Sequence, residues 1–178
     1  MDKYILDKNF VPYLNEANIT EAVSRIASSI NVDYADKIPL FIAILNGSFI
    51  FAADLYKKIN VPSEISFVKL SSYAGTQSSG SVTTTIGLDV AINARDIIII
   101  EDIVDTGKTL TTFIAALKKE GPSSIRVCAL LHKQEATTHP IPIDYLGFTI
   151  PNLFVVGYGL DYNGFGRNLK GIHQLKES

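Results

Sequence analysis

The sequence predicts an α/β domain with a largely parallel central sheet and helices on both faces of it. Three observations point there. Asp96-Ile97-Ile98-Ile99-Ile100 is a continuous β-branched run, the mark of a central strand covered on both sides. A stretch with helical spacing follows (Leu110, Phe113, Ile114, Leu117), and then another apolar run over residues 125–131. Strand, helix, strand in that order is a crossover unit, which joins parallel strands and lays its helix on one face of the sheet.

The other elements follow along the chain. Residues 15–30 carry apolar groups at Ile19, Val23, Ile26, Ala27 and Ile30, a helical period, with Asn15 as N-cap and Glu16 complementing the helix dipole. Pro39-Leu40-Phe41-Ile42-Ala43-Ile44-Leu45 is a short apolar run that stops at Asn46-Gly47-Ser48, so it reads as a buried strand entering a turn. A helix is predicted over 49–59, with Phe49, Ala52, Ala53 and Tyr56 on one side, and a partly covered strand over 64–70 with Ile65 and Phe67 alternating. Residues 71–85 are almost all Ser, Thr and Gly, with Tyr73 and Gln77, too polar to order themselves; they read as a mobile loop with short strands at its base. The strand at 96–100 is expected to break at Glu101-Asp102, and the next helix to begin near Gly107 and end at Gly121-Pro122 after Lys118-Lys119.

Composition narrows the function classes. At roughly 150 residues per domain, 178 residues make one domain, 1–178. With 47% hydrophobic residues, 19% charged and a mean hydropathy of +0.20, the chain can bury a sizeable core without a disulfide or structural metal. Sixteen Lys and Arg against 18 Asp and Glu leave a net charge of -2 and a pI near 5.9, so no basic field for nucleic acid arises. Cys128 is the only cysteine, set in the apolar run Val127-Cys128-Ala129-Leu130-Leu131, and reads as a packing thiol rather than a nucleophile. Three scattered histidines assemble no zinc cluster with it. Neither a secretory h-region nor a membrane-spanning apolar stretch is present in the sequence, and the cytoplasm is the expected compartment.

The chemistry concentrates in Glu101-Asp102-Ile103-Val104-Asp105-Thr106-Gly107-Lys108-Thr109. In open parallel sheets, ligands bind where strands pass to helix N-termini. Gly107 lets backbone approach an anion, Thr106 and Thr109 supply hydroxyls, and the helix dipole favours negative charge. Gly107-Lys108-Thr109 matches the end of a nucleotide P-loop, but that motif needs glycine where this chain has Asp102, so the P-loop reading fails. A bare D-T-G-K-T is also an ordinary strand-to-helix turn. What raises it above that is the adjacent carboxylate pair Glu101-Asp102, costly at a strand end unless a cation and ligand hydroxyls satisfy it. Asp105 itself has two readings, a proton acceptor or a helix N-cap.

The segment E-D-I-V-D-T-G-K-T resembles the phosphoribosyl diphosphate-binding signature of the type I phosphoribosyltransferases, in particular their hypoxanthine/guanine branch, and the resemblance covers nearly the whole chain. Leu45-Asn46-Gly47-Ser48 is similar to that family's pyrophosphate turn, Phe51-Ala52-Ala53-Asp54-Leu55 to the helix after it, and Ser72-Tyr73 to the start of its catalytic lid. Lys133 lies where the family holds a purine's exocyclic oxygen; Phe154-Val155-Val156-Gly157-Tyr158-Gly159-Leu160-Asp161-Tyr162-Asn163 and Arg167 resemble its purine-stacking and closing segment. On physical grounds alone, Phe154 is either a stacking face or a core residue, Lys133 a ligand donor or a solvated surface lysine, and Arg167 a pyrophosphate clamp or an exposed side chain.

The resemblance implies the family's fold, including a small hood built from the terminal segments, and transfer of 5-phosphoribose from its 1-diphosphate to a 6-oxopurine. It implies Glu101, Asp102, Asp105, Thr106, Gly107, Lys108, Thr109, Asn46, Gly47 and Arg167 for the diphosphate substrate, with Lys133, Phe154, Val155 and Asp161 for the purine. It further implies Mg²⁺ on Glu101, Asp102 and Asp161, Asp105 as the catalytic base, a lid over residues 71–85, and a homodimer or homotetramer. The family most often has Lys or Arg where this chain has Asn46, which removes one positive charge from the pyrophosphate turn. The rival reading is a regulatory protein that keeps the same site as a sensor; such a protein is expected to carry a basic face or an added DNA-binding domain.

Overall fold

A computed structural model describes residues 1–72 and 82–176. The chain runs β1 (Lys3–Ile5), β2 (Lys8–Leu14), α1 (Glu16–Asp33), β3 (Leu40–Leu45), α2 (Phe49–Tyr56), β4 (Glu64–Ser72) and β5 (Val82–Ile86). It continues through β6 (Asp96–Val104), α3 (Lys108–Lys118), β7 (Ser124–His132), β8 (Tyr145–Thr149), β9 (Val155–Val156) and β10 (Ile172–Leu175). Six strands form the main sheet in the order β5-β4-β3-β6-β7-β8; all neighbours are parallel except β4 and β5. The predicted α/β class and parallel sheet are therefore present.

The sheet's two faces are set by alternation along its strands. Phe41 and Ala43 of β3, Ile98 and Ile100 of β6, and Cys128 and Leu130 of β7 face α1 and α2. Leu40, Ile42, Ile97, Ile99, Val127 and Ala129 face the opposite way, under Leu110, Phe113 and Leu117 of α3. An unbroken isoleucine run is what a strand needs when both faces are dry. Cys128 is fully buried in this packing, and burial pushes its thiol up, which keeps it unreactive. No helix of the described residues is long and apolar enough to cross a membrane.

A second, antiparallel sheet in the order β1-β2-β10-β9 is made from the two ends of the chain, and is the expected hood. Phe10 and Val156 are fully buried beneath it, with Ile5 beside them. The chain crosses from β8 to β9 at residues 150–154, and the segment after β9 returns to the end of the main sheet from which β3 exits, with Gly159 against the Gly47 carbonyl.

Two local expectations change, and a third is met at the loop's base. The strand over 96–100 does not stop at Glu101-Asp102; β6 runs on to Val104, because β7 keeps pairing with it as far as Val104 opposite His132. The helix over 49–59 ends at Tyr56, and its buried side is Phe51, Ala52 and Leu55, while Phe49 and Ala53 are exposed. That helix is apolar on most sides, so its period is uninformative, and the turn that launches it from β3 decides which side faces inward. Of the loop expected at 71–85, Ser71 and Ser72 end β4 and pair with Thr83 and Val82 of β5. Residues 73–81, which include Tyr73 and most of the expected lid, lie outside the described residues.

Candidate active site

In this sheet β3 and β6 are neighbours from which the chain departs in opposite directions, through α2 to β4 on one side and through α3 to β7 on the other. Such a switch point leaves a crevice at the carboxyl ends of the two strands. A cavity of about 260 Å³ lies there, lined by Leu45, Leu70, Glu101, Asp105, Thr106, Gly107 and Thr109 among others.

The turn after β6 is built for an anion. Gly107 caps α3 with φ of 79°, a left-handed conformation, and a side chain there would reach within 2.2 Å of the His139 carbonyl oxygen, so only glycine fits. Glycine offers no capping side chain, so among the described residues only the first N–H of α3, that of Lys108, meets a side-chain acceptor, Thr106 Oγ1 at a long 3.4 Å. Asp105 is therefore not the helix cap. Its carboxylate, roughly half-exposed, instead accepts a hydrogen bond from Lys133 Nζ at 3.0 Å. Lys133 is only 8% exposed, so it is no solvated surface lysine; its ammonium emerges from the end of β7 beside the crevice. Lys108 differs: it contributes its backbone to α3, while its side chain is exposed and does not line the cavity.

The acidic pair sits deeper. Asp102 is buried and Glu101 half-buried, with their carboxyls close to one another. Loss of hydration, followed by the charge of Asp102, holds Glu101 well above the usual carboxylate range. Burial also raises Asp102, opposed by the Glu101 contact, by the N–H groups of Ile103 and Asp102 itself, and by the charge of Arg167. Gly47, in the turn after β3, packs so closely that a Cβ there would fall 1.6 Å from Asp102 Oδ2. The backbone of Gly159 in turn lies against the Gly47 carbonyl.

Arg167 closes this side. Its Nη1 donates to the Gly159 carbonyl at 2.7 Å and its Nη2 lies 2.7 Å from Asp161 Oδ1. Asp161 Oδ2 accepts from the N–H of Gly164 at 2.6 Å, so both oxygens of Asp161 are engaged within its own loop. Asn46 is exposed and uncharged at the mouth of the turn. Phe154 is 47% exposed, its ring edge-on to Tyr162 and 6.2 Å from Phe10. It is not a core residue. Val155 beside it is buried in β9, leaving its backbone as what it can offer a ligand. Among the described residues no group of three or more His, Cys, Asp or Glu side chains gathers to hold a metal by itself.

One segment was not singled out from sequence. Residues 137–139, between β7 and β8, fold back over the 105–107 turn: Thr137 Oγ1 donates to the Asp105 carbonyl, and the N–H groups of Thr138 and His139 donate to that of Thr106. Its residues carry no periodic or motif signal; only the close approach of His139 to Gly107 reveals it.

The chain matches the phosphoribosyl transferase domain over residues 13–163. It is 42% identical over 173 residues to a hypoxanthine-guanine phosphoribosyltransferase of Lactococcus lactis, covering 96% of this chain and 94% of that one. A hypoxanthine-guanine phosphoribosyltransferase of Streptococcus pneumoniae is 42% identical over 160 residues, 89% of each chain. Among solved structures, a hypoxanthine phosphoribosyltransferase from Staphylococcus aureus superposes with a TM-score of 0.88 at 37% identity, over 93% of this chain and 90% of that one.

Proposed function

The chain belongs to the phosphoribosyl transferase domain family, and from that membership we infer its place in the hypoxanthine-guanine branch: it transfers 5-phosphoribose from 5-phosphoribosyl 1-diphosphate to a 6-oxopurine, releasing pyrophosphate. This is purine salvage. The observation that carries the reading is the Asp105–Lys133 pair at the rim of an anion-binding turn, at the sheet's switch point. A 6-oxopurine presents an acceptor oxygen and a ring N–H on neighbouring edges, and the pair offers one donor and one acceptor.

The sugar's 5-phosphate would sit on the N–H groups and hydroxyls of Thr106 to Thr109, with the helix dipole behind them. The ribose hydroxyls would face Glu101 and Asp102. The diphosphate would lie along the backbone of Asn46 and Gly47 with Arg167 beyond it, the uncharged Asn46 leaving more of the neutralisation to Arg167. As the bond from C1 to diphosphate oxygen breaks and the bond to the purine nitrogen forms, the ring N–H loses its proton to Asp105. Lys133 holds the exocyclic oxygen, Phe154 stacks on the ring, and the Val155 backbone and Asp161 border its far edge. The developing cation on the sugar makes alignment and charge placement the main sources of rate.

The donor set fits Mg²⁺: two adjacent carboxyls are hard oxygen ligands, and this ion takes one or two carboxylates and fills the rest of its shell with substrate phosphate and water. It would be held at Glu101 and Asp102, with Asp161 near a second ion, and would supply charge neutralisation of the diphosphate leaving group. A cytoplasmic homodimer or homotetramer completes the reading. The test is turnover of hypoxanthine, guanine and adenine with phosphoribosyl diphosphate and Mg²⁺. The two 6-oxopurines should form nucleotide; adenine, which presents an amino donor to the Lys133 donor, should not. Turnover of adenine alone, or of no base, would overturn the assignment.

A further inference from the structure

We propose that Thr137 is the positioning residue of the site, holding Asp105 and the anion-binding turn in register through its hydroxyl. The inference rests on the transferase reading above and adds a residue to it.

Thr137 Oγ1 lies 2.9 Å from the Asp105 carbonyl oxygen, 3.0 Å from the Lys133 carbonyl oxygen and 3.0 Å from His132 Nε2. The single hydroxyl hydrogen, shared between the two carbonyls, thus ties the backbones of the two residues whose side chains form the ion pair, although they stand 28 positions apart in sequence. The neighbouring N–H groups of Thr138 and His139 take the Thr106 carbonyl, at 3.1 and 2.9 Å. In a planar trans peptide the C=O and the following N–H point in opposite directions. Drawing the carbonyls of Asp105 and Thr106 toward residues 137–139 therefore turns the N–H groups of Thr106 and Gly107 the other way, into the turn. Without Thr137 the Asp105 carbonyl is free to swing toward the anion, where its partial charge repels the phosphate, and the Asp105 carboxylate moves with it.

Two readouts separate this role from ordinary packing: affinity for ribose 5-phosphate by calorimetry, and kcat with hypoxanthine. Thr137→Val keeps the shape and removes the hydroxyl; it should weaken ribose 5-phosphate binding and lower kcat by about 3- to 10-fold each, the worth of one hydrogen bond. Thr137→Ser should restore both to within about twofold of the parent. Thr137→Ala, which cannot overpack, reads the same loss if the valine variant does not fold. Parent-like affinity and kcat in the valine or alanine variant, or a serine variant as impaired as the valine one, would overturn the proposal. A parent enzyme that binds ribose 5-phosphate but turns over no base would remove the transferase reading and leave the binding arm to decide for Thr137.

Discussion

Local sequence allows two readings each for Asp105 and Lys133, and the structure removes one of each by contact. Asp105 precedes a helix, where a cap is the commonest use of aspartate, yet the cap is Gly107 and the carboxylate instead faces an ammonium. Nothing in local sequence couples the two residues; only the pairing of β6 with β7 brings them together. Asp105→Asn tests the chemical role. The amide oxygen can still accept from Lys133, and the site is half-exposed, so stability should fall by only about 1 kcal/mol, roughly 2–4 °C in Tm. Loss of proton acceptance should lower kcat by ~10²–10⁴. A variant within a few-fold of the parent would show that the proton goes elsewhere. A related expectation concerns Glu101 and Asp102. Burial and mutual repulsion hold Glu101 above the usual carboxylate range, and a bound diphosphate adds further negative charge unless a cation intervenes. Excess chelator should therefore abolish turnover and Mg²⁺ restore it; unimpaired rates in chelator would remove the metal from the mechanism.

Elements were legible wherever burial was two-sided or the helical period was clean. The isoleucine strand and α3 follow directly from their patterns, and Asn15 caps α1 by accepting from the N–H of Asn18 at 2.9 Å. Polar strand ends were not legible, because Glu101 to Val104 remain in β6 through pairing with β7, a non-local cause. The edge strands of the hood escaped periodicity for the same reason: β9 is two residues long and exists only because β10 lies beside it. The far end of the main sheet carries a latch equally invisible in sequence. Arg126 of β7 lies over the rings of Tyr34 and Tyr145 and pairs with Asp33, the last residue of α1, while the Tyr145 hydroxyl donates to the same carboxylate at 2.7 Å. The Tyr145 hydrogen bond first, then Arg126, outweighs burial and holds Asp33 below the usual carboxylate range. A carboxyl lowered on folding contributes stability above its unfolded pKa and loses it as pH falls through the folded value. Tyr145→Phe should cost roughly 1 kcal/mol at neutral pH, about 2–4 °C, with activity unchanged at the opposite end of the strands. The gap in Tm between parent and variant should close below about pH 4. A gap constant with pH would mean that the hydroxyl stabilises without engaging the charged form.

At the scale of the whole molecule, the proposed site draws on both sheets. The main sheet carries the turn at 105–109, the acidic pair and the turn at Asn46-Gly47, while Asp161 and Arg167 come from the segment between β9 and β10. The hood and its junction supply the aromatic surface, since Phe154 stands just before β9 with Phe10 of β2 and Tyr162 packed around its ring. An exposed phenylalanine held edge-on by a tyrosine is costly to leave in water and is pre-positioned to receive a flat apolar face. This division makes a separable prediction. Stacking of a base on an aromatic ring is worth ~1–3 kcal/mol, so Phe154→Ala should raise KM for hypoxanthine by ~5- to 150-fold. Of the groups proposed for phosphoribosyl diphosphate, all but Arg167 and Asp161 stand on the main sheet, so affinity for that substrate should stay within about twofold of the parent, as expected for largely independent sites. Phe154→Tyr keeps the ring and should retain most of the base affinity. Should the alanine variant bind hypoxanthine as tightly as the parent, Phe154 only covers Phe10, and the purine lies on another surface. Should both substrates weaken together, the hood and the sheet act as one body rather than as two halves of a site.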